Sequence, residues 1–65
     1  MRTFYDVQQL LKKYGTFIYT KNRHVDAIMM EEEIREMYEF GMLDKQLFQE
    51  ALLILKKEQR EEQKG

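Results

Sequence analysis

In the first fifteen residues, Phe4, Val7, Leu11 and Tyr14 recur at steps of three or four, with Leu10 widening the stripe. Side chains at this spacing share one face of an α-helix, so a helix is expected over residues 3–14. Thr3 is its natural N-cap. Asp6, three positions on, sits near the positive end of the helix dipole in a capping box where Glu or Gln is the commoner partner. The periodicity returns at Ala27, Met30, Ile34, Met37 and Tyr38 and predicts a second helix over residues 23–40. Asn22 is its cap, and Asp26 in the first turn complements the dipole. A third helix is expected over residues 44–62, with Asp44 as cap and with Leu43 and Phe48 spaced as a hydrophobic staple. Leu47, Phe48, Ala51, Leu52, Ile54 and Leu55 give this helix a wide apolar face.

Gly15 and Gly41 follow the first two periodic stretches, where a left-handed residue commonly ends a helix. Beyond Leu55 nothing apolar remains to bury, so residues 60–65 are expected to fray. Thr16 to Lys21, which carries Phe17, Ile18 and Tyr19, reads as a packed connector. Three short amphipathic helices can bury their stripes only against one another. The predicted fold is therefore all-α, a compact three-helix bundle, and 65 residues make a single domain.

Composition narrows the chemistry. The chain has no cysteine, serine, proline or tryptophan, and its non-tyrosine hydroxyls are Thr3, Thr16 and Thr20. A serine or cysteine nucleophile, a disulfide and a thiolate metal cluster are thus excluded. His24 is the sole imidazole and is assigned no role. Glu31, Glu32, Glu33, Glu36 and Glu39 point in different directions around a helix, which suits a solvated face better than converging metal ligands. No enzyme activity, cofactor or metal is expected. The longest aliphatic run, Ala51 to Leu55, is far short of the roughly 20 residues of a membrane span. With no secretory leader pattern in the opening residues, a cytoplasmic protein without membrane contact is expected.

The stretch MRTFYDVQQLLKKYG from Met1 to Gly15, followed by Phe17-Ile18-Tyr19 and Arg23 and then by EIREMYEFGML from Glu33 to Leu43, resembles the YqgQ family of short, uncharacterised bacterial proteins. The likeness extends over almost the whole chain and is most specific at Phe4 to Lys12. It implies a cytosolic three-helix bundle and, as the activity discussed for such proteins, binding of single-stranded nucleic acid. It brings no catalytic motif. The family pattern often carries Gly-Asp where this chain has Lys21 and Asn22, which makes the turn more basic here.

Charge is unevenly distributed. Residues 1–25 hold Arg2, Lys12, Lys13, Lys21 and Arg23 against Asp6, a net of +4, while residues 26–65 carry −5. From Val7 to Val25 there is no acidic side chain, and Tyr14, Phe17 and Tyr19 lie among the cations. Lysine and arginine for phosphates together with aromatic faces for bases is the combination that holds single strands. Tyr5, Gln8, Gln9 and Lys12 would project from the first helix opposite its apolar stripe. The expected binding residues are Tyr5, Lys12, Lys13, Tyr19, Lys21 and Arg23, with single-stranded DNA or RNA as ligand. Against this stand a pI near 5.8 and the reading of Tyr14 and Phe17 as core residues beside solubilising lysines. The competing class is a homodimer or protein-interaction module, for which Met29, Met30, Met37 and Met42, with Tyr38, Leu10 and Leu53, supply adaptable apolar surface.

Overall fold

Each helix begins where a side chain can take up its unpaired N–H groups. In a computed structural model describing residues 1–63, with side chains to Glu61, α1 spans Phe4–Lys13, α2 Arg23–Glu39 and α3 Lys45–Gln63. Thr3 Oγ1 accepts from Asp6 N at 3.2 Å, and the Asp6 carboxylate accepts from Thr3 N at 3.1 Å, so the capping box closes with an aspartate. The same carboxylate accepts from Arg2 N at 2.9 Å. These backbone bonds, from Arg2 and then Thr3, hold Asp6 below the ordinary aspartate range. Asn22 caps α2 through Val25 N at 3.1 Å, and Asp44 caps α3 through Leu47 N at 2.8 Å.

The first two helices end alike. Gly15 and Gly41 have φ of 90° and 76°, where a side chain would be strained. Thr16 N then donates to Leu11 O and Gly15 N to Lys12 O. Met42 N and Gly41 N donate in the same way to Met37 O and Tyr38 O. Both endings are the paired Schellman arrangement, which satisfies the last carbonyls.

The three helices enclose one core, and the fold is an all-α three-helix bundle. α2 and α3 form the principal antiparallel pair, and α1 packs on both. Val7 and Leu11 from α1, Ala27, Met30 and Ile34 from α2, and Ala51 and Leu55 from α3 are wholly enclosed. Ala27 and Ala51 are small enough to let backbones approach, while the larger side chains fill the space between. A chain of this length holds only about 3–10 kcal/mol of stability. One buried leucine cut to alanine, costing about 2–5 kcal/mol, is therefore a large fraction of the whole.

The sequence-expected stripes hold with specific exceptions. Tyr14 is the C-cap of α1 and is 45% exposed, so the stripe ends at Leu11, after which the chain leaves the helix. Phe17 is 64% exposed, and the reading of Tyr14 and Phe17 as core residues is corrected. The connector alternates instead: Ile18 enters the core between the outward rings of Phe17 and Tyr19. Tyr38 lies partly exposed and stacks on Phe48, with ring centroids 4.0 Å apart and planes at 6°. α3 is helical through Gln63, and residues 64 and 65 of the expected tail lie outside the described residues.

Candidate functional site

Four of the six residues expected to bind a ligand line one cleft. Tyr5 comes from α1, Tyr19 and Lys21 from the connector, and Arg23 from the first turn of α2. Phe4, Gln8 and Asp26 complete the walls of this opening, which has a volume of about 330 Å³. Tyr5 and Gln8 are three residues apart on a helix and so present adjacent side chains. Tyr5 is 63% exposed and Tyr19 62%.

The far wall is set by a buried carboxylate. Asp26 is 2% exposed, and its Oδ1 accepts from Thr20 N at 2.8 Å and Thr20 Oγ1 at 2.7 Å. These two bonds tie the connector to α2 and fix the path on either side of Thr20. Asp26 stands in the first turn of α2, where its charge complements the dipole as expected, and it also anchors the connector. A linear signal existed: Asp26, Met30, Ile34 and Met37 share one helical face, so a carboxylate stood on the apolar stripe. Its partner Thr20 lies outside any periodic element, and no spacing pointed to it.

The four expected cations have different surroundings. Arg23 Nε is 2.8 Å from Glu58 Oε2 on α3, and its guanidinium carbon is 4.5 Å from the centroid of the Phe4 ring. Arg23 thus joins all three helices while bordering the cleft. Lys21 has no ion pair among the described residues and sits at φ 70°, a left-handed conformation unusual for a side-chain-bearing residue. Lys12 and Lys13 are exposed and do not line the cleft. Lys12 follows Gln8 by one turn on the same flank and lies over Phe17, 5.8 Å from the ring centroid.

On the acidic side of α2, Glu32, Glu36 and Glu39 are exposed as a solvated face requires, while Glu31 is held by partners. Glu31 accepts from Arg35 Nε at 2.9 Å, as the i, i+4 spacing suggests, and also from Gln59 Nε2 at 2.8 Å, with Lys56 Nζ 3.1 Å away. It is therefore a tether between α2 and α3. Burial pushes its carboxyl upward, but bonds from Gln59, Lys56 and Arg35 outweigh this and hold it below the ordinary glutamate range. Among the described residues no group of three or more acidic or histidine side chains is arranged to hold a metal ion. No described helix is long and apolar enough to cross a membrane.

Fold and cleft together define a small all-α protein with an aromatic, basic opening beside its first helix. The chain belongs to the YqgQ-like family, whose family model matches residues 1–61. It is 38% identical over 65 residues to a Bacillus subtilis (strain 168) protein named Uncharacterized protein YqgQ, a match covering 100% of this chain and 92% of that relative.

Proposed function

We propose that this chain is a cytoplasmic, non-enzymatic binding protein that holds single-stranded DNA or RNA along the flank formed by α1 and the connector. The observation that carries this reading is the pair of exposed tyrosine rings, Tyr5 and Tyr19, on one cleft with Lys21. Stacking on such rings contributes about 1–3 kcal/mol per base and tolerates any sequence. Lys21, Lys12 and Lys13 neutralise phosphates as the strand passes along the flank, with Arg23 as a partly committed fourth cation. The acidic surface of α2 confines the strand to this side.

Anisotropy of a short labelled DNA or RNA strand at about 50 and 200 mM salt tests the reading. Three or four phosphate contacts give a log–log slope of about −2 to −3. Replacing Tyr5 and Tyr19 together by alanine is expected to weaken binding at least about tenfold while leaving that slope in place. A strand that binds equally well without the two rings overturns the assignment.

A second reading, a homodimer or protein-interaction module, is supported by Phe40 and Leu53, which are 75% and 72% exposed, and by the exposed Met29 and Met42. Met30 and Met37 belong to the core and are not available to it. Self-association predicts a mass that rises with concentration and responds little to salt, as light scattering across a dilution series would register.

A further inference from the structure

The cleft is polar in a graded way, and the gradient describes its ligand. At its rim stand Lys21 and Arg23, both exposed, and in its wall stands Asp26, a residue only 2% exposed. Both Thr20 bonds go to Oδ1. Among the described residues Oδ2 has no hydrogen-bond partner, and Asp26 is one of the residues that line the cleft. A carboxylate oxygen in this position is an unused acceptor.

The charges limit what can fill it. An ammonium or metal ion meets Lys21 and Arg23 at the entrance, and a simple anion meets a carboxylate inside. A ligand that is anionic at one end and offers neutral N–H donors at the other satisfies both. A nucleotide has this form, and the cleft volume of about 330 Å³ is at the small end of ligand sites. Among the bases, guanine alone has two adjacent N–H donors on its Watson–Crick edge, N1–H and the 2-amino group. Uracil and thymine flank their single N–H with carbonyl oxygens that repel a carboxylate.

We propose that this cleft selects guanine, with Asp26 Oδ2 accepting from the N1–H and 2-amino edge of the base. The inference rests on the strand-binding reading and gives it a base preference. The Gln8 amide, on the adjoining α1 wall, has the N–H needed for the guanine O6. Tyr5 and Tyr19 supply ring faces, and Lys21 meets the phosphate.

The test compares an all-uracil oligonucleotide with the same strand carrying one central guanine or one inosine, which keeps N1–H and lacks the 2-amino group. One guanine is expected to raise affinity about tenfold, with inosine between the two. Asp26→Asn keeps an oxygen for Thr20 and turns an amide N–H₂ toward the cleft, so the guanine preference disappears or reverses. Should that variant unfold, wild-type NMR gives the same answer: guanosine monophosphate shifts the Thr20 amide, and uridine monophosphate at equal concentration does not. Equal affinity for the guanine and uracil strands, with no Thr20 shift, overturns the base assignment and leaves strand binding intact. A Thr20 shift with guanosine monophosphate but no binding of any strand supports the base pocket and overturns the strand reading. No response to either ligand overturns both.

Discussion

Thr20 gives both of its donors to one oxygen of Asp26, the backbone N–H at 2.8 Å and the hydroxyl at 2.7 Å. Asp26 is buried in the first turns of α2, and Thr20 lies in the connector, six residues earlier. Two short bonds to a charged acceptor thus define where Tyr19 and Lys21 stand. The hydroxyl also lies 3.3 Å from both Asn22 N and Asn22 O, so its removal takes away these longer contacts along with the bond to Asp26. Thr20→Val keeps the shape and the backbone N–H but leaves the buried carboxylate short of one donor, a loss of about 1–3 kcal/mol. Urea denaturation should show a lower midpoint at unchanged slope, and an unchanged midpoint would mean that the hydroxyl contributes nothing to the tether.

Lys21 is strained where a glycine would not be. At φ 70° its Cβ crowds the backbone, at a cost of about 1–2 kcal/mol, part of which glycine gives back through its greater freedom in the unfolded chain. Lys21→Gly should therefore raise stability by about 0.5–1 kcal/mol, or roughly 2–8 °C in melting temperature. The same change removes a cation from the cleft. If the proposed function holds, the variant is more stable and binds a strand less tightly, with a salt slope shallower by about 0.7. Fold stability and binding then move in opposite directions, which global unfolding cannot imitate.

The sequence made the framework of this molecule legible because its determinants are local. Thr3, Asn22 and Asp44 cap helices by bonding residues three positions away, and Gly15 and Gly41 end them through their own backbone conformation. Each helix boundary accordingly falls within one residue of its expected place. Exposure along a stripe was legible until the stripe reached a helix end, where Tyr14 departs from the face it shares in projection. The cleft was legible in part. Tyr5 and Lys21 could be grouped by charge and aromatic content, but what brings them together is the Thr20 to Asp26 tether. Glu31 illustrates the same limit: Arg35 is a neighbour one turn away on the same helix, as i, i+4 spacing allows, whereas Gln59 and Lys56 reach it from another helix.

Acid should loosen the pairing of α2 and α3 through Glu31. Its carboxyl titrates below the ordinary glutamate value in the folded protein, so the unfolded chain takes up the proton at higher pH than the native one. The stabilisation is complete above the unfolded value, near 4.5, and is lost as pH falls through the lower folded value. Asp6 acts with the same sign at the start of α1, where its backbone bonds depend on ionisation. Glu31→Gln keeps the size of the side chain and removes the charge that gathers Lys56, Arg35 and Gln59, costing about 1–2 kcal/mol at neutral pH. Thermal melts from pH 7 to 3 should converge for the variant and the wild type as pH drops. Curves that stay parallel would place the acid sensitivity elsewhere.

Glu58 restrains the cation best placed to serve both fold and ligand. Its carboxylate is 2.8 Å from Arg23 Nε, and it is largely shielded while the arginine is more than half exposed. An exposed arginine paired in this way contributes little to stability, about 0–1 kcal/mol, and the Phe4 ring still holds the guanidinium from its other side. Glu58→Gln should therefore cost the fold little while releasing Arg23 and removing a negative charge from the neighbourhood of the cleft. Under the proposed function, affinity for a single strand rises about two- to fivefold at low salt, and the log–log slope steepens by roughly 0.7 as one more phosphate is neutralised. Arg23→Gln made on top of Glu58→Gln should abolish the gain. If the gain survives without Arg23, the effect belongs to the general field of the removed carboxylate and not to a freed contact.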